Sequence, residues 1–157
     1  MRPRRMAVLA NLIERRRAII QRMKDAHESW KHAVSQLAAG TVKPFIDSFA
    51  DEIAWTIVGT TPWSRTYRGS AEVRAMLAAL QARIDGPYRM HVERFVTAGE
   101  WVVVQGQGDN LLTSGDRYDN TYCWVCRVVG GRLVELTEYM DTALVLRVFG
   151  SSAQRAS

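Results

Sequence analysis

The first quarter of the chain carries apolar side chains at helical spacing. Residues 7–37 contain neither proline nor glycine, and their apolar positions recur three or four residues apart. This pattern predicts one long or once-broken helix that ends at Gly40. A second, short helix is predicted over residues 43–49, with Pro44 in its first turn, where a missing N–H costs nothing.

The pattern then changes from helical spacing to alternation. Residues 53–58 alternate between apolar and polar side chains and predict a strand, whereas residues 59–69 contain Pro62 and Gly69 and predict a loop. A third helix is expected to begin at Ser70, a suitable N-cap residue, and to end before Asp85.

The remainder predicts an antiparallel sheet. Four alternating segments are separated by short glycine-containing turns, at residues 88–97, 101–112, 117–129 and 132–142. A helical turn is expected to run from Leu144 to Phe149. Three helices and five strands predict an α+β fold in which a curved, cone-shaped sheet wraps around the helices.

Charge divides the chain into unequal parts. Residues 1–24 hold eight basic side chains and one acidic one, which gives this segment a net charge of +7. The whole chain has a net charge of +5, so residues 25–157 carry a net charge of −2. We therefore predict a basic helical extension (1–24), one folded domain (25–149) and a disordered tail (150–157). Because the domain is nearly neutral, it lacks the basic groove of a nucleic-acid-binding protein, and no nucleic-acid partner is expected.

Hydropathy argues against membrane insertion. No apolar run approaches the roughly 20 residues that a membrane span needs. Asn11 and Glu14 interrupt the short apolar stretch after the first arginines, which is unlike a signal peptide. A cytoplasmic protein is expected.

Several local segments carry a family resemblance. They are FADEIAW (49–55) followed by Gly59, YRG (67–69), the hairpin VVGGRLV (128–134) and EYMDT (138–142). Over residues 26–149 the chain resembles the nuclear transport factor 2-like superfamily, whose related branches include SnoaL-like cyclases, ketosteroid isomerases and limonene epoxide hydrolases. The resemblance implies a cystatin-like α+β barrel, a homodimer and a pocket for a small apolar molecule.

Alternation assigns the two faces of the predicted sheet. With Arg127 outside, the inward side chains of the third segment are Asn120, Tyr122, Trp124, Cys126 and Val128. In the second segment we assign every second residue from Trp101 to the inner face, which gives Trp101, Val103, Gln105 and Gln107. The next residue in this series is Asp109, which is therefore predicted to face the interior.

Two carboxylates are the candidate catalytic residues. Resemblance to the limonene epoxide hydrolases places Asp109 and Glu138 where that family has its acid and base, and two carboxylates in one cavity tend to separate in pKa. Gln107 stands where that family has an arginine. Trp55 and Ile57 stand where it has the tyrosine and asparagine that hold water, so hydrolysis of epoxides is only an alternative.

The sequence retains the residues needed by ketosteroid isomerases and by SnoaL-like cyclases to different degrees. Ile57 replaces the proton-shuttling aspartate of the ketosteroid isomerases, and Ala33 replaces their oxyanion-binding tyrosine. A SnoaL-like cyclisation needs only one acid or base and a folded substrate, for which Asp109, Glu138 or His91 could serve.

Each candidate also has a structural interpretation. Asp109 and Glu138 could be solvated or hydrogen-bonded, His91 could be a partly buried structural residue, and Asp141, the second choice, more simply caps the last helix. Aromatic residues converge on the expected cavity, with Trp63 and Tyr67 near its mouth. The predicted substrate-binding residues are Trp55, Trp63, Tyr67, His91, Gln107, Asn120, Tyr122 and Trp124.

Metal or cofactor chemistry is not expected. Cys123 and Cys126 are three residues apart in a strand, so their thiols point to opposite faces. The sequence therefore predicts a cofactor-free acid–base enzyme of the cyclase, isomerase or hydrolase type that acts on an apolar cyclic substrate. The alternative is a non-catalytic ligand-binding or dimerisation module.

Overall fold

The computed structural model describes residues 3–150, with side chains from residue 6 onwards. The tail predicted to be disordered lies outside this range except for Gly150. The chain forms four α-helices, which are α1 (Pro3–Ser35), α2 (Lys43–Asp47), α3 (Ser70–Gln81) and α4 (Thr142–Phe149). A 3₁₀ turn, Gln36–Ala39, extends α1.

Six strands form one mixed sheet. They are β1 (Phe49–Ile57), β2 (Thr66–Arg68), β3 (Met90–Ala98), β4 (Trp101–Gly108), β5 (Thr121–Val129) and β6 (Arg132–Met140). Their order is β2-β1-β6-β5-β4-β3, and only the β1–β6 pair is parallel. This confirms the predicted α+β fold with a curved sheet around helices.

The end of the first helical segment follows from local chemistry. Gly40 adopts the left-handed conformation, with φ of 76°, and its N–H donates to Leu37 O at 2.9 Å. Glycine takes this conformation without the Cβ clash that other residues suffer. The predicted end at Gly40 is confirmed.

Three local predictions are wrong. Phe49 begins β1 instead of ending the second helix, and the predicted loop 59–69 contains β2. The N-cap of α3 is Gly69, not Ser70, and no cap side chain accepts a hydrogen bond there. Glu72, in the first turn, instead accepts the backbone N–H of Arg68, the residue before the cap, at 2.6 Å.

The core lies between the helices and the inner face of the sheet. Trp30 and Val34 of α1, Phe45 of α2 and Val73 of α3 are buried in one cluster with the inward side chains of the strands. A second cluster, which includes Tyr118 and Leu144, lies under α4. Helix α4 therefore covers one end of the cone.

The first part of α1 projects from this body. Every side chain from residue 6 to residue 25 is exposed, and burial begins with Ala26 and His27. No helix among residues 3–150 is both long enough and apolar enough to cross a membrane.

Candidate functional site

The two middle strands show which side chains reach the interior. The inward residues predicted for β5 are confirmed, and β4 pairs with it so that Val104 faces Trp124 and Gly106 faces Tyr122. Opposite residues of an antiparallel pair share a face. The inward residues of β4 are therefore Val102, Val104, Gly106 and Gly108, and the predicted phase is wrong by one residue.

This error has a physical reason. Trp101 resembles an inward anchor but lies at the hairpin end of the strand, where 41% of it is exposed. Gly106 and Gly108 have no side chain to mark the inner face. A Cβ on Gly106 would lie 2.9 Å from His91 O, so the close approach of β3 leaves no space for one.

Asp109 therefore lies on the outer face of the sheet, not in the interior. Its side chain is 49% exposed and forms an ion pair with Arg117, and His91 Nε2 lies 3.6 Å from Oδ2. Hydrogen bonding from Arg117 holds the pKa of Asp109 below its ordinary value. Asp109 and Glu138 do not share a cavity.

His91 and Gln107 also lie outside, contrary to the prediction. The His91 side chain is 56% exposed. Gln107 donates from Nε2 to Asp119 O at 2.6 Å and accepts from Thr121 Oγ1 at 2.9 Å. We call His91, Gln107, Asp109, Arg117 and Asp119 the outer-face cluster.

Glu138 occupies the interior, where the structure gives it two hydrogen-bond donors. It is 6% exposed. Trp55 Nε1 donates to Oε2 at 2.9 Å and Trp124 Nε1 donates to Oε1 at 3.1 Å. The sheet order explains this arrangement, because β6 lies between β1 and β5, which carry the two tryptophans.

Burial dominates the proton affinity of Glu138. Desolvation raises its pKa from an ordinary value of 4.5 to about 7, against the opposing effect of the two indole N–H groups. A carboxyl group with this pKa can hold or release a proton near neutral pH. We call Glu138, Trp55 and Trp124 the Glu138 site.

Three tyrosines lie close to this site. Burial raises the pKa of Tyr118 to about 12 and raises the pKa values of Tyr88 and Tyr122 well above their ordinary value, and the charge of Glu138 acts on all three in the same direction. The side chain of Tyr122 interacts with those of Tyr88 and Tyr118 and opposes the rise in their pKa values. We call these three residues the tyrosine cluster.

The sequence prediction missed Tyr88 and Tyr118 as site residues. A signal for both exists, because Tyr118 continues the inward alternation of Asn120 and Tyr122. Tyr88 similarly precedes the buried Met90 by two residues. Both tyrosines belong to segments that were predicted as strands, residues 88–97 and 117–129, although the observed strands β3 and β5 begin only after them.

Asn120 and Asp141 have structural contacts. The buried amide of Asn120 binds the backbone of Asp141, accepting from its N–H at 2.9 Å and donating to its carbonyl at 3.2 Å. Asp141 Oδ1 accepts from Ala143 N at 2.9 Å and Leu144 N at 3.1 Å. The capping interpretation of Asp141 is confirmed.

Comparison with known proteins identifies the family. The sequence pattern of the SnoaL-like domain matches residues 30–136. The chain belongs to the SnoaL-like domain family. It shares the nuclear transport factor 2-like fold, as the resemblance implied. No curated protein sequence matches the chain.

Solved structures show how widely this fold is shared. An NTF2-like protein of unknown function from Burkholderia pseudomallei is 20% identical, with a TM-score of 0.65 over 84% of this chain and 98% of that one. One from Burkholderia xenovorans is 21% identical, with a TM-score of 0.60 over 84% and 97%. TerC, co-crystallised with polyporic acid, is 16% identical, with a TM-score of 0.64 over 83% and 99%. At such identities the likeness shows the fold alone.

The end of this SnoaL-like domain nearest the tyrosine cluster is closed by aromatic side chains. Phe149 of α4 contacts Tyr118 at 4.8 Å and Trp63 at 5.6 Å between ring centroids. Tyr67 is buried and donates its hydroxyl to Trp63 O at 3.1 Å. Trp63 and Tyr67 therefore pack together at this closed end, close to where the mouth of the cavity was predicted.

Aromatic rings also pack tightly around the Glu138 site. Phe45 stacks on Trp124 at 5.5 Å with an interplanar angle of 10°, and Trp55 meets Trp124 at 5.7 Å. Two surface depressions, of about 190 and 210 Å³, lie elsewhere, beside Phe149 and along α1. Among the described residues, no three His, Cys, Asp or Glu side chains are grouped as a metal ion would require.

Proposed function

We propose that this SnoaL-like protein is a cofactor-free acid–base enzyme of the cyclase, isomerase or hydrolase type. Its substrate is a small, apolar, cyclic molecule, and Glu138 transfers the proton. The observation that carries the proposal is a carboxyl group that is 6% exposed, is held by two indole N–H groups and has a pKa of about 7.

The position of Glu138 suits proton transfer. A general acid or base works best when its pKa lies near the working pH, and the aromatic surroundings of Glu138 bring its pKa there. Trp55 and Trp124 hold both oxygens in place. Their indole N–H groups also stabilise the carboxylate after it has given up its proton, so Glu138 can cycle between both forms.

The tyrosine cluster supplies the complementary groups. Its hydroxyls keep their protons at neutral pH, because burial raises the pKa values of Tyr88, Tyr118 and Tyr122. Protonated hydroxyls can donate hydrogen bonds to negative charge that develops on a carbonyl or enol oxygen of the substrate. We therefore place the reacting oxygen beside this cluster and the transferred proton beside Glu138.

Substrate enters, in this proposal, at the end that α4 covers. Phe149 and Trp63 form the aromatic contact over Tyr118, and both are only partly buried. Side chains at this rim can move with less loss of packing than Trp55 or Trp124, which are buried in the main core. Binding would displace Phe149 from Tyr118 and expose the tyrosine cluster.

A non-catalytic ligand-binding module is the second candidate. The close packing of Phe45, Trp55 and Trp124 around Glu138 favours it, because a residue wholly enclosed by core side chains can be structural. The structure of TerC with polyporic acid supports a small-molecule site in this fold for either candidate. Epoxide hydrolysis gains no support, because Asp109 lies outside and leaves Glu138 without a carboxylate partner.

We also propose a homodimer and a cytoplasmic location. Two surfaces could contact a second copy: the moderately apolar outer face of β5, with Thr121, Cys123 and Val125, and the exposed half of α1. Both cysteines are free thiols, as is usual in a reducing compartment.

Ligands carried through purification provide the test of function. Native mass spectrometry would identify them, and turnover would then be measured with the wild-type protein and the Glu138→Gln variant. We expect a loss of at least about 100-fold in kcat with binding retained, since general acid–base catalysis contributes about 10²–10⁴-fold. Asp109→Asn is the matched control on the outer face and should keep the wild-type rate.

The result also separates the two candidates. If the identified ligand binds but is never converted, the binding module is the correct assignment. If Glu138→Gln converts the substrate at the wild-type rate, Glu138 is not the acid–base residue.

A further inference from the structure

The projecting half of α1 carries an apolar stripe that no part of the chain described by the structure covers. Residues 6–24 are all exposed, although eight of them are large and apolar, and seven of the eight lie along one side of the helix. These seven side chains are 36–59% exposed and are Met6, Leu9, Leu12, Ile13, Ile19, Ile20 and Met23. Exposed apolar surface of this extent marks an interaction site.

The stripe continues the seam by which α1 packs onto the body. Steps of three and four residues lead along α1 to the buried His27 and Trp30, through Met6, Leu9, Ile13, Arg16, Ile20 and Met23. Since α1 is one continuous helix, the exposed stripe faces the side on which the body lies. The body therefore limits what can reach it.

A flat bilayer fits this geometry poorly. To touch the stripe it would have to approach from the side that the folded domain occupies, and the domain would hold it away. A second helix is narrow, about 10 Å across, and can lie along the stripe beside the body. We propose that the stripe binds the same stripe of a second copy, as an antiparallel helix pair.

The antiparallel direction follows from the side chains in the seam. A two-fold axis between Glu14 and Arg15 places Met6 opposite Met23 of the second copy and Leu9 opposite Ile20 of the second copy. Arg16, the one charged residue in the seam, then meets Ile13 of the second copy. A parallel pair would set Arg16 against Arg16, which like-charge repulsion disfavours.

The flanking positions agree with this register. Leu12 lies beside Ile19 of the second copy on one side of the seam. Arg17 lies beside Ala10 of the second copy on the other side, so no two arginines face each other along the flanks. Stable interfaces bury at least about 1,000 Å² in total, and fourteen half-exposed apolar side chains from two copies offer an area of that order.

Charge makes the salt dependence of this contact distinctive. Residues 6–24 hold five basic side chains and one acidic one, a net charge of +4 on each copy. Added salt screens the repulsion between the two helices, so association should strengthen from 50 to 500 mM NaCl. Binding to an anionic lipid or a nucleic acid would weaken over the same range.

Sedimentation equilibrium of the full chain tests the interface. We expect a dimer whose Kd rises at least tenfold in the variant Leu9→Glu with Ile20→Glu. The matched control, Asn11→Glu with Ala18→Glu, adds the same charge on the opposite side of α1 and should keep the Kd within threefold or lower it. Far-UV and near-UV circular dichroism would show that both variants keep the helix and the folded body.

Disulfide trapping tests the direction. In a Cys123→Ser background, a mixture of the Met6→Cys and Met23→Cys variants should form a mixed disulfide dimer, whereas Met6→Cys alone should form little. Efficient cross-linking of Met6→Cys to itself would overturn the antiparallel arrangement.

Three other outcomes would overturn the interface itself. One is a monomer at all concentrations. Another is a dimer that both glutamate variants leave unchanged but that Val125→Asp on the outer face of the sheet dissociates. The third is a monomer that binds phosphatidylcholine vesicles containing 30% phosphatidylglycerol through Leu9 and Ile20, with no binding to pure phosphatidylcholine.

Discussion

Two carboxylates on opposite faces of the sheet show how strongly the face on which a side chain lies determines its pKa. Glu138 points inward between two indoles, and burial raises its pKa to about 7. Asp109 points outward beside Arg117, which lowers its pKa. The chemical group is the same in both cases, so the difference comes from desolvation on one face and a neighbouring cation on the other.

The two faces of the sheet also differ in the contacts that hold their side chains. On the inner face, Trp124 is in contact with Phe45, Trp55 and Tyr122, with ring centroids no more than 5.8 Å apart. On the outer face, the cluster around Asp109 is held by ion pairs and hydrogen bonds in contact with water. Four predictions test this contrast, from the largest expected effect to the smallest.

The largest loss in the free energy of unfolding should come from removing an indole on the inner face. Trp124→Ala should lower the free energy of unfolding by about 3–5 kcal/mol, because it opens a cavity and leaves Glu138 with one hydrogen-bond donor fewer. Trp101→Ala, the control on the outer face, should cost at most about 1.5 kcal/mol, since Trp101 is 41% exposed. Urea unfolding measures both, and similar losses would contradict the contrast.

The pH dependence of stability should come from the inner carboxyl group. Because the pKa of Glu138 is raised on folding, the folded state binds this proton more tightly than the unfolded chain does. Its contribution is complete below pH 4.5 and is lost as the pH rises to about 7, a decrease in the free energy of unfolding of about 3 kcal/mol. Glu138→Gln should lack this slope in urea unfolding between pH 4.5 and 8.

Asp109→Asn provides the matched control for that measurement. The pKa of Asp109 is lowered on folding, so its contribution is present above its ordinary value of 3.8 and is lost as the pH falls below it. Wild type and Asp109→Asn should therefore have the same slope between pH 4.5 and 8. A slope that survives in Glu138→Gln and disappears in Asp109→Asn would reverse the assignment of the two faces.

A smaller effect should come from the inner face of β4. Gly106→Ala places a Cβ 2.9 Å from His91 O and 3.3 Å from Met90 Cγ, so β3 and β4 must shift apart. We expect a loss of about 1–3 kcal/mol in the free energy of unfolding, measured by urea unfolding. Gln105→Ala, one residue away on the outer face, should change the free energy of unfolding by less than about 1 kcal/mol.

The smallest effect concerns a third carboxylate, Asp141. Asp141→Ala removes the N-cap of α4 and should cost about 1 kcal/mol in thermal or urea unfolding. Asp141→Asn can still accept both backbone hydrogen bonds and should be nearly neutral. If Asp141→Asn abolished turnover of an identified substrate while the fold stayed intact, Asp141 would have to be placed in the catalytic machinery beside Glu138.

Local features of the fold were predictable because they depend on neighbouring residues. The helix ends at Gly40 because glycine tolerates the left-handed conformation there. The turn at Gly130 and Gly131 likewise uses positive φ angles of 57° and 78°. The inward face of β5 follows from the alternation of large side chains, which Tyr122 and Trp124 mark clearly.

The candidate site was predictable only in part. Trp55 and Trp124 were expected inside and lie there, and Glu138 joins them. Asp109, His91 and Gln107 were also expected inside, but the phase of β4 depends on how it pairs with β5. Gly106 and Gly108 face the interior without any side chain that could have revealed it.

The sequence by itself determined the helices, the long strands, the hairpin turns at Gly99 and at Gly130 and Gly131, and the family, since these depend on local spacing and side-chain type, but it missed the short strand β2. Only the tertiary structure decided which carboxylate is buried and what its pKa is. The hydrogen bond from Trp55 to Glu138 joins residues 83 positions apart. Desolvation and such contacts depend on how distant strands are paired, and alternation along a single strand carries no information about its partner.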